Sequence, residues 1–204
     1  MLILLLTGLV LPLIVVLTHA GFDGFFTSQR LMAIAALPAA LAVWLLHPVL
    51  ILRGLKQRQR KRSDASLLFW QAGLCTGLLL IPVSLAALLL PDPRWQVLFG
   101  WLAIWGWAAT IMHGMLSRIV PFLVWFHRYS ARVGLEIVPS MRSLLPQNRI
   151  KTGLVLHASS VLFGVLAIWF QTDWLAYITG LLLLATATSM VSMLIHVLKT
   201  NDDA

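Results

Sequence analysis

The stretch Arg53-Gly54-Leu55-Lys56-Gln57-Arg58-Gln59-Arg60-Lys61-Arg62 decides how this chain is read, because of what flanks it. Residues 31–52 before it and 67–90 after it are long apolar runs. A membrane-spanning helix needs about 20 predominantly apolar residues. A dense group of Lys and Arg between two such spans marks a cytoplasmic loop. Working outward, further apolar runs occupy about 2–18, 96–117, 153–170 and 174–198. Arg118, Arg128, Arg132, Arg142, Arg149 and Lys151 fall between the fourth and fifth runs or at their edges, and Lys199 follows the sixth. Of the 15 Lys and Arg residues, only Arg30 and Arg94 fall on the opposite side, in short loops that also carry Asp23, Asp92 and Asp173. Trp95, Trp101, Trp169 and Trp174 cluster toward that same side, as an interfacial aromatic belt does. The pattern predicts an all-α, polytopic membrane helical bundle of about six transmembrane helices in a bacterial inner membrane, with both termini cytoplasmic.

Composition narrows the class. The chain is 60% hydrophobic and 11% charged, against about 25% charged residues in a soluble domain. The net charge of +8 reads as cytoplasmic flank charge facing anionic headgroups. No basic-aromatic nucleic-acid module accompanies it, so nucleic acid is excluded as a partner and the lipid bilayer takes its place. Cys75 is the only cysteine and lies within an apolar run, which rules out an intramolecular disulfide, a CxxC pair and a thiolate cluster. Residues 1–204 read as a single transmembrane helical domain, with a basic cytoplasmic loop at 53–66 and an interfacial segment plus cytoplasmic loop at 118–152.

Three segments carry finer expectations. The first run has Pro12 at its middle and no basic residue before it; a cleaved leader ending at Thr18-His19-Ala20 is the alternative to a retained span. Pro121 predicts that the fourth span ends or kinks there, leaving Phe122–Tyr129 as an interfacial segment, apolar with a basic end. The polar stretch from Glu136 to Arg149 then belongs to a long cytoplasmic loop, either functional or a tether. Gly73 with Gly77, and Ser160 with Gly164, place small residues four apart, where helix backbones can approach closely.

The spans hold no acid, since all seven Asp and Glu lie in loops or tails. Proton-coupled carriers place carboxylates or charged pairs inside the membrane, so a proton antiporter or ion pump is disfavoured. No phosphate loop, zinc-protease helix, nucleophile elbow or dinucleotide fingerprint is present, and no residue is assigned a catalytic role. The histidines stand out. His47, His113 and His157 lie inside spans, each roughly 7–9 Å by helical rise from the basic residue that anchors its span, Arg53, Arg118 and Lys151. Hydroxyls share their helical faces: Thr110 and Ser117 beside His113, Ser160 beside His157, and Ser192 beside His196. Imidazole inside a membrane is costly unless it faces the bundle interior or finds a partner, and it is also a ligand for haem iron. Two readings stay open. Either two histidines on different helices, His113 and His157 foremost with His47 behind them, clamp a b-type haem, or each simply bonds a neighbouring hydroxyl. His196 sits at the interface, His47 precedes Pro48 and marks a kink, and His19 and His127 lie at membrane edges.

The run from Gly114 to Arg128 (Gly-Met-Leu-Ser-Arg-Ile-Val-Pro-Phe-Leu-Val-Trp-Phe-His-Arg), the later Val138-Pro139-Ser140-Met141-Arg142 and Leu156-His157 resemble the latter half of a family of bacterial membrane proteins distantly similar to haem–copper oxidase subunit I. The resemblance spans about residues 100–190. It implies an all-helical membrane protein of respiratory type that binds haem, with His157, and more weakly His113 and His127, as positions to carry over. Gly100 and Trp101 stand where the oxidase pattern has a histidine, and the adjacent histidine pair of a copper site is missing, so no oxygen- or nitric-oxide-reducing binuclear centre is implied. Beside the haem-binding reading stand a non-catalytic accessory or assembly subunit working with other membrane subunits, and a small-molecule transporter using helices broken at Pro12, Pro38 and Pro82.

Overall fold

The computed structural model describes residues 2–19, 34–57, 64–140 and 143–199. Arg30, the Arg58–Arg62 run and Arg142 lie outside the described residues, as does the side chain of His19. Six helices follow in chain order: α1 Leu2–His19, α2 Ile34–Lys56, α3 Ala65–Leu89, α4 Arg94–Arg132, α5 Gln147–Phe170 and α6 Asp173–Lys199. Five of them, α2 to α6, are long and apolar enough to cross a membrane, and α1 is a shorter apolar helix. The all-α membrane-type bundle expected from the charge pattern is therefore what the chain forms. The described residues group into two compact units, one from 1–61 and 74–99, the other from 62–73 and 100–204.

The boundaries differ from the sequence reading in two places. The fourth helix does not stop at Pro121; it runs through that residue to Arg132, 39 residues in all. At 1.5 Å per residue this is nearly 60 Å, more than the ~45 Å of a whole bilayer, so Phe122–Tyr129 is the helix's own extension past the span. Proline is tolerated there because a helix at membrane depth has neighbours to re-satisfy a freed carbonyl. The fifth helix begins at Gln147 rather than near 153. That shortens the loop before it, which follows the 3₁₀ turn Ser130–Arg132 at the end of α4 and carries an isolated bridge between Val133 and Glu136.

The second unit has the burial pattern of a membrane bundle. The inward stripe of α5 is Ile150, Gly153, His157, Ser160 and Gly164; that of α4 beyond its first turns is Thr110, His113, Gly114, Ser117 and Pro121. Large apolar residues of the same helices, such as Val155, Leu162, Met112 and Phe122, face outward. Small and polar inside with apolar outside is how helices pack where lipid, not water, is the solvent. Close approach is literal at three glycines. A Cβ on Gly114 would sit 2.7 Å from the Cβ of Phe69, one on Gly73 would sit 2.6 Å from Ile111, and one on Gly164 would run into the indole of Trp101. A greasier end closes the unit, where Ala65, Phe69, Leu145, Ile150, Met193 and Val197 pack together. The helix ends are tied as well. The Ala65 N–H donates to Gln147 Oε1 at 2.9 Å. The Arg128 guanidinium donates twice to the Leu198 carbonyl near the end of α6, where the helix dipole favours a cation. A two-residue link, with Gln171 in the left-handed conformation at φ 52°, joins α5 to α6.

Candidate functional site

Among the described residues, two stretches of π-helix occur: Ala42–Leu46 within α2 and Leu102–Ala109 within α4. The second builds the site. It delivers Trp105 and Gly106 just ahead of Thr110, whose backbone N–H turns back to the Trp107 carbonyl. Thr110 Oγ1 donates to the Gly106 carbonyl at 2.7 Å. Having given its one proton away, it accepts from His157 Nε2, also at 2.7 Å. His157 Nε2 lies 3.2 Å from the Trp105 carbonyl as well. The network thus assigns the imidazole proton to Nε2, shared between the Thr110 hydroxyl and the Trp105 carbonyl.

The His157 ring is walled by aromatics. Trp105 lies against it with ring centroids 4.8 Å apart, and the Trp105 indole N–H donates to Ser160 Oγ at 2.7 Å. Ser160 in turn donates to the His157 carbonyl one turn earlier. Trp101 reaches across α5 and donates to the Val161 carbonyl. The other side of His157 meets His113, with centroids 5.8 Å apart and planes at 86°. Phe69 stacks on His113 at 4.5 Å. A Cβ on Gly153 would lie 3.3 Å from His113 Nε2, so the glycine is what lets that imidazole seat against α5. Both histidines are buried, at 4% and 2% exposure.

One atom in this cluster is left over. His157 Nδ1 is buried and has no hydrogen-bond partner among the described residues. With the proton on Nε2, Nδ1 carries a lone pair that meets no donor among the described residues. A metal-ligating imidazole has this arrangement, its other nitrogen donating to a carbonyl that fixes tautomer and ring orientation. His157 Nδ1 is thus a nitrogen donor of the kind that can ligate a metal. The two-histidine haem clamp does not fit the packing: His113 Nε2 abuts α5 at Gly153, on the helix that carries His157, and a macrocycle between the two rings would have to part α4 from α5. Among the described residues, no three His, Cys, Asp or Glu side chains come together as a metal-binding group.

The structure brings together His113 and His157 and adds Trp105, Thr110 and Phe69, which sequence reading left out of the site. Thr110 had a signal, since it lies three residues before His113, but its partner is His157 on the next helix. Ser117 and Ser192, expected beside His113 and His196, give their protons to the Gly114 and Ser189 carbonyls of their own helices. His47 belongs to the first unit, at the head of the helical segment that contains the buried Pro48; the pair is built from the second unit alone. His127 is on the exposed extension of α4, where its Nδ1 lies 3.1 Å from the Leu123 carbonyl.

Five membrane-length helices with an inside-out burial pattern define the class: this is a multi-pass integral membrane protein. No family model matches the chain, and no curated protein or solved structure matches it either.

Proposed function

We propose that this protein is a respiratory-type component of a bacterial inner membrane whose working centre is the buried His157, with b-type haem as the group it would bind and His113 as its neighbour. The observation that carries the proposal is the unpartnered Nδ1 of His157, set opposite an Nε2–H held by the Trp105 carbonyl and Thr110. A buried imidazole nitrogen without a partner is expensive, and a ligand would relieve it. His157 would then hold the iron, and His113, stacked on Phe69, is the neighbour that would have to yield. Bound haem would supply a one-electron couple within the membrane. The resemblance of residues 100–190 to oxidase-like membrane proteins points the same way. The test is a reduced-minus-oxidised absorbance spectrum of detergent-purified protein made under haem-replete expression. The expected outcome is a b-type signal that His157→Ala abolishes and His113→Ala alters; a flat spectrum from folded protein would retire the haem reading.

A second reading is favoured by a different observation. The second unit is packed through glycines and aromatic rings without a slot between its histidines, as suits a non-catalytic accessory or assembly subunit held among other membrane subunits. On this reading His157 is a structural hydrogen-bond donor, and the protein co-purifies with partner subunits in mild detergent.

The orientation belongs to the same proposal. The distribution of basic residues supports a cytoplasmic position for both termini and the loop at 53–66. A reporter fused after Arg62 should be active as a cytoplasmic fusion, and one fused at Pro93 as a periplasmic fusion; the reverse pair of signals would invert the topology.

A further inference from the structure

At the end of the second unit away from the Trp101–Gly164 contact, a small cavity of ≈ 30 Å³ opens beside the first turn of α3. Its polar wall is Asp64, Ser66, Ser117 and Arg118, and its apolar wall is Pro121, Leu145 and Ile150. None of these belongs to the histidine cluster. Ser66 is 1% exposed and its Oγ has no hydrogen-bond partner among the described residues; the same is true of Asp64 Oδ1. The other Asp64 oxygen, Oδ2, faces Arg118 Nη2 at 3.6 Å. Ser117 donates its proton to the Gly114 carbonyl at 2.8 Å, which leaves its Oγ as an acceptor only. Gln147 also lines the cavity, with its Oε1 already accepting from the Ala65 N–H.

The unmet capacity is lopsided. Asp64 Oδ1, Ser66 Oγ and Ser117 Oγ are three acceptor oxygens around one small space, with a single free hydroxyl proton among them. Water brings two donors, whereas a primary ammonium brings three and a charge. The Asp64 oxygen left over by Arg118 favours that charge. The volume sets a further limit. It is room for about two or three waters, enough for an ammonium group.

We propose that this cavity takes the ammonium of a phosphatidylethanolamine headgroup. The surroundings choose a lipid as the source of the amine. Arg118, with its side chain more than half exposed, stands at the rim where the headgroup phosphate follows the ammonium. Next to it, on the side toward the membrane, Met112 and Met115 present an exposed apolar surface along α4 on which acyl chains lie. A cationic tip, an anionic middle and an apolar tail thus meet a carboxylate with two hydroxyls, a guanidinium and a greasy helix face, in that order. The inference rests on the membrane class of the protein and not on what the histidine pair binds.

The test is native mass spectrometry of the full-length protein in mild detergent, titrated with phosphatidylethanolamine or phosphatidylcholine of identical acyl chains. The two lipids share the phosphate and differ in the N–H donors. A charge-assisted hydrogen bond contributes about 1.5–3 kcal/mol, so phosphatidylethanolamine should be retained at least about tenfold better. Ser66→Ala and Asp64→Asn should each reduce that preference, and Arg118→Gln should weaken both lipids alike. Equal retention of the two lipids by the wild-type protein would overturn the proposal, and this comparison needs no variant that must fold. Protection against thermal unfolding by millimolar ethanolamine equal to that given by the lipid would also overturn it, because the ligand would then be a free amine.

Discussion

The two π-helical stretches look alike along the backbone and differ in cause. In the first, Ala42–Leu46, the His47 N–H reaches back five residues to the Ala42 carbonyl, and Pro48 follows. A proline has no N–H to give and its ring crowds the carbonyl four residues earlier, here that of Trp44. A widened turn is the local answer to that residue, and nothing more needs to be asked of it. In the second, Leu102–Ala109, no proline lies within or just after the stretch. What it has instead is a histidine from another helix bonded to one of its carbonyls and to the threonine that ends it. Single π turns inside α-helices occur often at functional sites. The contrast shows how to tell a turn the chain was forced into from one that serves a neighbour.

Three substitutions bear on that contrast, and they should rank in a definite order. The largest effect is expected from His157→Ala, which empties the space beside Trp105, His113 and Phe69 and strips the Trp105 carbonyl of a partner. The loss should be about 3 kcal/mol, read as a clear drop in the thermal unfolding midpoint in detergent. A midpoint unchanged from wild type would mean that the second π-stretch does not depend on the histidine. Next comes Thr110→Val, which keeps the shape and removes the hydroxyl that accepts from Nε2. It should cost about 1 kcal/mol, and the shift should nearly vanish when measured in the His157→Ala background; independent, additive shifts would show that the two residues are not coupled. The smallest effect belongs to Pro48→Ala, at no more than about 1 kcal/mol in either direction. It should let residues 42–46 return to regular α-helix, visible in amide exchange and backbone chemical shifts. A π pattern that survives there would break the assignment of the first stretch to its proline.

How much of the site could be read in the chain varies residue by residue. His113 and His157 stood out because imidazole inside an apolar run is rare and because their distances from Arg118 and Lys151 matched. Thr110 was legible only as a neighbour of His113; that its hydroxyl turns to His157 depends on which helices are adjacent. Trp105 gave no signal, since a tryptophan in a run holding Trp101 and Trp107 looks like any other lipid-facing aromatic. Its role comes from its backbone carbonyl, which every residue possesses and no sequence pattern marks. Pro121 was legible only in part: of the end or kink it predicts, the end does not occur, since α4 continues to Arg132, as helices at membrane depth can where neighbours satisfy the freed carbonyl.

The sequence by itself determined the class of this protein, its helical architecture and the expected direction of its loops. Those follow from one-dimensional quantities: the length of an apolar run against the thickness of a bilayer, and the count of cations at its ends. It also singled out the buried histidines, because placing a polar group in hydrocarbon is costly wherever the helix turns. Only the tertiary structure decided which hydroxyl meets which imidazole, which nitrogen is left without a partner, and that Asp64, Ser66 and Ser117 share one cavity. These depend on the rotation of each helix about its axis and on the order in which helices pack. Apolar runs of nearly uniform composition carry almost no record of either. The glycines at 73, 114, 153 and 164 fix both, and they do so only once a neighbouring side chain is there to fill the space each leaves.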